Sequence, residues 1–148
     1  MLPALIRKIH EAKRDRKDSV VLWGTGRPRR EFLYSEDMAA ACLFLMNLGD
    51  DAFDAILHGS ADQPPLVNIG CGVDLSILQL AQLVKEVVGY EGGFSFDSTK
   101  PDGTFQKLLD VGRLNRLGWQ PTVSLRDGIE LAYMDFTAHE NAPPEHAA

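Results

Sequence analysis

The stretch Val20-Val21-Leu22-Trp23-Gly24-Thr25-Gly26-Arg27-Pro28-Arg29-Arg30-Glu31-Phe32-Leu33-Tyr34-Ser35-Glu36-Asp37 decides how the chain is read. Two β-rich runs, Ser19 to Trp23 and Arg30 to Tyr34, flank a segment carrying Gly24, Gly26 and Pro28. Glycine reaches positive φ without a Cβ clash, and proline holds φ at about −65°, so the segment reads as a turn. A β-hairpin is therefore expected, with a Trp at the end of one strand and an Arg at the start of the other. Alternation along a strand places Arg30 on one face with Phe32 and Tyr34, and Glu31 with Leu33 on the opposite face. An indole beside a guanidinium seats a flat base and a phosphate, through stacking and bidentate charge-assisted hydrogen bonds. The same pair also serves ordinary hairpin packing through a cation–π contact, and the hairpin alone leaves both readings open.

Around this stretch the composition is that of a folded soluble domain: 148 residues, 45% hydrophobic and 24% charged. A net charge of −6 opposes a nucleic-acid partner, whose phosphates require a basic surface, although Arg7 to Lys17 is locally basic. That run reads as the solvated face of a helix. Cys42 and Cys71 fit neither a disulfide framework nor, without clustered histidines, a metal-ligand pattern. No apolar run approaches the roughly 18 residues of a membrane span, and no signal-peptide core follows Met1. A cytoplasmic protein with no membrane and no nucleic-acid partner is the expectation.

Along the chain, Pro3 suits a first helical turn, and Leu2, Leu5, Ile6 and Ile9 recur at helical spacing to about Arg16. Lys8 is carried beside that stripe, either as a snorkelling surface lysine or as a cation reaching over it. Ser35 reads as an N-cap, with Glu36 and Asp37 where the helix dipole favours negative charge. The helix that follows, Met38 to Leu48, is apolar on every side and must be covered all round, so it is either central to this domain or packs on something this chain lacks. Ala52 to Pro65 reads as a variable loop with at most a weak helical turn, and His58 within it as exposed. Leu66 to Ile69 reads as a short strand leading to Gly70-Cys71-Gly72. That loop is rejected as a dinucleotide fingerprint, because Leu75 stands at the third glycine position.

Ser76 and Gln79 form a capping box, Leu75 and Leu80 a hydrophobic staple, and Gly89 a helix stop. Gly93 to Asp97 reads as a strand. The loop Ser98 to Thr104 carries Pro-Asp-Gly turn chemistry, but Lys100, Asp102 and Lys107 also crowd charge around it in a way that can hold hydroxyls and phosphates. Asp110 caps a short helix, Val111 to Leu117, that Gly118 ends, so Trp119 reads as a packing residue. Ser124 caps the last amphipathic helix, whose apolar side is Leu125, Ile129, Ala132, Tyr133 and Phe136. The expected division is a region over 1–140 and a disordered tail over 141–148.

Several phrases now stand together: Leu2-Pro3-Ala4-Leu5, Trp23-Gly24-Thr25-Gly26-Arg27-Pro28-Arg29-Arg30-Glu31-Phe32, Asp37-Met38-Ala39, Asn68-Ile69-Gly70, Lys100-Pro101-Asp102-Gly103-Thr104, Lys107-Leu108-Leu109-Asp110, Arg113-Leu114 and Leu117-Gly118-Trp119. From Met1 to about Phe136 the sequence resembles the carboxy-terminal half of GDP-L-fucose synthase, a family of extended short-chain dehydrogenase/reductases in the NAD-dependent epimerase/dehydratase superfamily. Lys-Pro-Asp-Gly-Thr followed by Lys-Leu-Leu-Asp is the more particular signature. Arg-Glu-Phe and Leu-Gly-Trp are shared by many nucleotide-sugar epimerases and dehydratases.

The resemblance implies an α/β fold: the carboxy-terminal substrate-binding part of such an enzyme, mixed small sheets with helices, lacking most of the Rossmann domain. It implies that Lys8, Trp23, Arg30, Asp102 and Lys107 contact a GDP-sugar, GDP-4-keto-6-deoxymannose or GDP-L-fucose. The full-length family enzyme epimerises two ring carbons and reduces the ketone with NADPH, as a homodimer. This chain departs from it in carrying no Gly-rich cofactor turn and no Tyr-x-x-x-Lys pair, since Tyr34, Tyr90 and Tyr133 have no Lys four residues on. The family's epimerising Cys and His lie upstream of the matched region. Hence no catalytic, cofactor-binding or metal residue is assigned here, no cofactor is expected on this chain alone, and an amino-terminal Rossmann half is its expected partner. The alternatives are a non-catalytic nucleotide-sugar-binding module or half of another nucleotide-sugar epimerase or dehydratase. The helix at Met38 and the segment Leu66 to Val88 pack, by the same resemblance, on that amino-terminal sheet, so a large exposed apolar face is expected.

Overall fold

The computed structural model describes residues 1–58 and 64–140, and divides them between two compact units, each interrupted in sequence. The expected tail over 141–148 lies outside the described residues.

One unit comprises Met1–Pro28, Ser76–Phe105 and the chain from Leu125 onward. It holds α1 (Leu2–Arg14), β1 (Ser19–Trp23), α4 (Ile77–Val88), β4 (Gly93–Asp97) and α6 (Leu125–Glu140). β1 and β4 run parallel, from Ser19 opposite Gly93 to Trp23 opposite Asp97. A parallel pair needs a crossover between its strands, and the chain returns to β4 directly from α4. Leu5, Ile6, Ile9 and Ala12 form the buried stripe of α1, at the spacing read from the sequence. They share the core with Val20 and Leu22 of β1, Leu80, Ala81, Val84 and Val88 of α4, and Ile129 of α6. Alternation along β1 buries Val20 and Leu22 and turns Ser19, Val21 and Trp23 outward.

The hairpin expected between Ser19–Trp23 and Arg30–Tyr34 does not form: β1 and β2 (Arg29–Glu31) belong to different sheets. The polar groups of the intervening segment are used elsewhere. Gly24 N donates to Asp97 O at 2.9 Å, and the carbonyls of Gly26 and Pro28 accept from Leu78 N and Ile77 N, each at 3.0 Å. Those two amides are among the donors that a helix start leaves without intrahelical partners, so the segment serves as a cap for α4. The capping box completes it: Ser76 Oγ accepts from Gln79 N and Gln79 Oε1 from Ser76 N. Gly89 closes the helix in the left-handed region, at φ 69°.

The other unit comprises Arg29–Leu75 and Gln106–Ser124. Its sheet has the order β3 (Asp74–Ser76), β2, β5 (Gln106–Lys107), with β2 and β5 parallel and Arg30 opposite Lys107. Around it are α2 (Ser35–Met46), α3 (Asp50–His58) and α5 (Gly112–Arg116). Ala41, Leu114 and Trp119 are its buried centre, with Leu33, Phe44, Leu45, Val67 and Ile69 packed against them. Trp119 is thus a packing residue, held behind Gly118 as the helix-stop reading expected.

Three local expectations are corrected here. Ser35 is the first residue of α2, not its cap; Tyr34 takes that place and no side chain caps the end. Glu36 and Asp37 do stand in the first turn as expected, and Asp37 is in addition buried, accepting from Thr122 N, Thr122 Oγ1 and Val123 N at 2.8 to 3.1 Å. Burial opposes its charge, yet these donors outweigh burial and hold the carboxyl below its ordinary range. The segment beginning at Asp50 is helical to His58, because Asp50 and Asp51 sit in a first turn and Gly49 O receives Ala52 N and Phe53 N. Its continuation over 59–63 is outside the described residues. Leu66 to Ile69 is not a strand: Arg113 Nη1 takes the carbonyls of Pro64 and Leu66, while Asn68 Nδ2 donates to Asp110 O.

α2 is apolar all round yet buries only Asp37 and Ala41, and it leaves Met38, Leu43 and Met46 exposed at 40%, 60% and 80%. This is an uncovered apolar face of the kind that the family resemblance led us to expect.

Candidate functional site

Trp23 ends β1 on its outward face, and 68% of its surface is open. Lys8 projects from α1 across that strand. Its ammonium donates to Val21 O at 2.9 Å and lies 5.7 Å from the indole centre. The snorkelling alternative for Lys8 is therefore only half of its role: the stem crosses apolar surface, and the head is delivered to the indole. Lys100, on the loop after β4, brings a second ammonium to 5.8 Å from the same ring.

Asp102 grips the turn behind Trp23. Its Oδ1 accepts from Thr25 N at 2.6 Å and its Oδ2 from Thr25 Oγ1 at 2.7 Å. These donors, the backbone one first, hold the carboxyl below its ordinary range, with Arg27 adding to the effect. Gly24 makes the approach possible. At φ 74° it occupies the left-handed region, and a Cβ there would collide with Asp102 Oδ1. Asp102 thus shapes the Trp23 ledge from beneath.

Arg30 and Lys107 lie in the other unit, directly opposite one another on β2 and β5. Arg30 is half-buried, with Nη1 donating to Arg29 O at 2.6 Å, and Lys107 is exposed. Arg29 Nε and Nη2 reach Asp74 Oδ1 at 2.8 and 2.7 Å, and Gln106 Nε2 donates to Asp74 Oδ2 at 2.6 Å. Asp74 is committed to Arg29, so the register places two further cations side by side. Neither Arg30 nor Lys107 has a carboxylate partner among the described residues. Like charges opposite one another on paired strands are unfavourable without an anion.

The sequence-derived residues therefore fall into two groups: Lys8, Trp23 and Asp102 in one unit, Arg30 and Lys107 in the other. Sequence reasoning missed Thr25, whose partner is 77 residues away, and it weighed Lys100 as part of a charged turn able to hold phosphates without placing it beside Trp23. Two concavities of about 560 and 590 Å³ lie elsewhere on the first unit, one beside Lys13, Arg16 and Gly89 and the other beside Leu2, Arg7 and Phe136; neither touches these residues.

The fold is shared with nucleotide-sugar reductases and epimerases. A family model described as NAD dependent epimerase/dehydratase family matches residues 1–69. The structure of a GDP-6-OMe-4-keto-L-xylo-heptose reductase from C. jejuni superposes with a TM-score of 0.84 at 32% identity, over 93% of this chain and 47% of that one. Among curated relatives, GDP-L-fucose synthase 1 of Arabidopsis thaliana is 50% identical over 133 residues, 90% of this chain. A GDP-L-fucose synthetase from Naegleria fowleri, solved bound to NADP, matches 95% of this chain with a TM-score of 0.76 at 27% identity. The chain is a homologue of part of GDP-L-fucose synthase, and it spans 38% of the plant enzyme and 41% of the amoebal chain, consistent with a carboxy-terminal part.

Proposed function

We propose that this chain holds the GDP-sugar in a GDP-L-fucose synthase-like epimerase and reductase, with Trp23, Lys8, Asp102, Arg30 and Lys107 as its ligand-directed residues. The observation that carries the reading is the open Trp23 indole with the Lys8 ammonium beside it, on a turn locked by Asp102. An indole takes the face of a base, and an ammonium placed next to it takes an attached phosphate. Arg30 and Lys107 lack a counter-charge among the described residues, and a diphosphate supplies one. Asp102 acts through Thr25 on the shape of the turn, because both carboxylate oxygens are already engaged.

NADPH is the reductant implied for the whole enzyme, and the N. fowleri relative was solved with NADP. The residues of the Gly70-Cys71-Gly72 turn do not fit that cofactor. Gly72 N donates to Glu31 Oε1 at 2.6 Å, and the Glu31 carboxylate lies where a Cβ on Gly70 would stand, so a carboxylate fills the place a pyrophosphate would need. Reduction and epimerisation are therefore assigned to a second polypeptide segment, an amino-terminal nucleotide-binding half that covers the Met38, Leu43 and Met46 face of α2.

Calorimetric titration with GDP, UDP and dTDP tests the binding reading. GDP is expected to bind tightest, and Trp23→Ala to weaken it about tenfold or more, the usual worth of one base stacked on an aromatic ring. Equal affinity for all three would leave half of another nucleotide-sugar epimerase or dehydratase as the better reading. Mixing the chain with an amino-terminal half is expected to restore NADPH oxidation by the keto-sugar. GDP binding without any such restoration would favour a non-catalytic module.

A further inference from the structure

Lys100 stands outside the five residues assigned above, yet it is held at the same ledge. We propose that Lys100 is a further ligand-contacting residue, whose ammonium takes the diphosphate of a nucleoside diphosphate stacked on Trp23; this rests on the binding reading above.

Two carboxylates flank Lys100 in sequence, and both are spent on other partners. Asp97 Oδ1 accepts from Thr99 N at 3.0 Å and Thr99 Oγ1 at 2.5 Å. Asp102 spends both oxygens on Thr25. Lys100 makes no ion pair with either, and its contact among the described residues is the Trp23 ring. An exposed cation–π contact is worth only about 0.5–1 kcal/mol, too little to hold an ammonium against a better acceptor. Lys8 is already at the same indole, so two ammonium groups share one open ring. A diphosphate attached to a base on the indole gives each ammonium a charge-assisted partner.

The loop is also prepared for this. Lys100 N donates to Asp97 O at 3.2 Å, at the end of β4, while two residues on Asp102 is fastened to Thr25. The backbone carrying Lys100 is thus anchored on both sides to the strand pair that presents Trp23, and only the side chain must adjust on binding.

The test follows the indole Nε1–H resonances of the full chain, which has two tryptophans, Trp23 open and Trp119 buried. Lys100→Gln, Lys100→Arg and a control, Lys85→Gln, are titrated with GDP, UDP and guanosine. Lys85 is suitable because it too lies over aromatic rings, Tyr90 and Phe94, but away from Trp23. Lys100→Gln is expected to bind GDP about tenfold more weakly with guanosine affinity unchanged, Lys100→Arg to keep most of the affinity, and Lys85→Gln to match wild type, all with the Trp119 resonance in place. Wild-type GDP affinity in Lys100→Gln overturns the proposal and leaves the binding reading intact. An equal loss for guanosine also overturns it, because the indole rather than the anion site would then have changed. Preference for UDP over GDP with the same Lys100 dependence removes the guanine reading and keeps Lys100. A wild-type chain that binds no nucleoside diphosphate overturns both.

Discussion

Asp37 shows how one side chain can be decided by partners far away in sequence. It sits in the first turn of α2, but its work is to accept two backbone amides and a hydroxyl from Thr122 and Val123. Removing it leaves those donors without a partner in a buried place, so Asp37→Ala is expected to cost about 1–3 kcal/mol in urea unfolding. The pH dependence follows from the depressed carboxyl. Its stabilising effect is complete above the unfolded value of about 3.9 and is lost as pH falls through the lower folded value. Acid unfolding of the wild type is therefore expected to steepen below about pH 4, and Asp37→Asn to be flatter over that range. Glu31 acts similarly. It receives Leu109 N at 3.0 Å as well as Gly72 N, so a residue that looks like one more strand charge is a bracket for two loops.

At the scale of elements, α4 was the most legible helix. Ser76, Gln79 and Gly89 each act locally, within four residues of the backbone they satisfy, and all three took the roles their types suggest. Ser76→Ala is expected to lower stability by about 1 kcal/mol, seen as a lower urea midpoint with an unchanged slope. Strand pairing was the least legible. Trp23 and Arg30 stand seven positions apart around glycines and a proline, which is hairpin chemistry, but β1 found β4 and β2 found β5. The Gly26 and Pro28 carbonyls instead meet amides of α4 that no periodicity in residues 20–37 announces. The helix Asp50–His58 was missed although Phe53, Ile56 and Leu57 recur at helical spacing, because the run is only 9 residues long and was read as a loop.

For the molecule as a whole, the exposed side of α2 is the dominant fact. Met38, Leu43 and Met46 form an apolar surface on a helix with no polar face to present instead. The chain alone is expected to self-associate and to bind an apolar dye. Leu43→Lys with Met46→Lys should reduce both while leaving the circular dichroism and the GDP titration unchanged. The same double variant should fail to recover NADPH oxidation when mixed with an amino-terminal half. Dye binding unaffected by the pair of lysines would show that this face is not the source.

By itself the sequence determined the helices with local punctuation, the two outer β1 and β4 segments, the packing role of Trp119 and the residue types a nucleotide-sugar would need. These follow from interactions within a few residues, or from long motifs whose order is kept. Only the tertiary structure decided that Asp102 faces Thr25, that Lys100 joins Lys8 at one indole, and that Arg30 lies against Lys107. Each of those depends on segments some 77 residues or more apart being brought together by core packing, and nothing in local propensity encodes that distance.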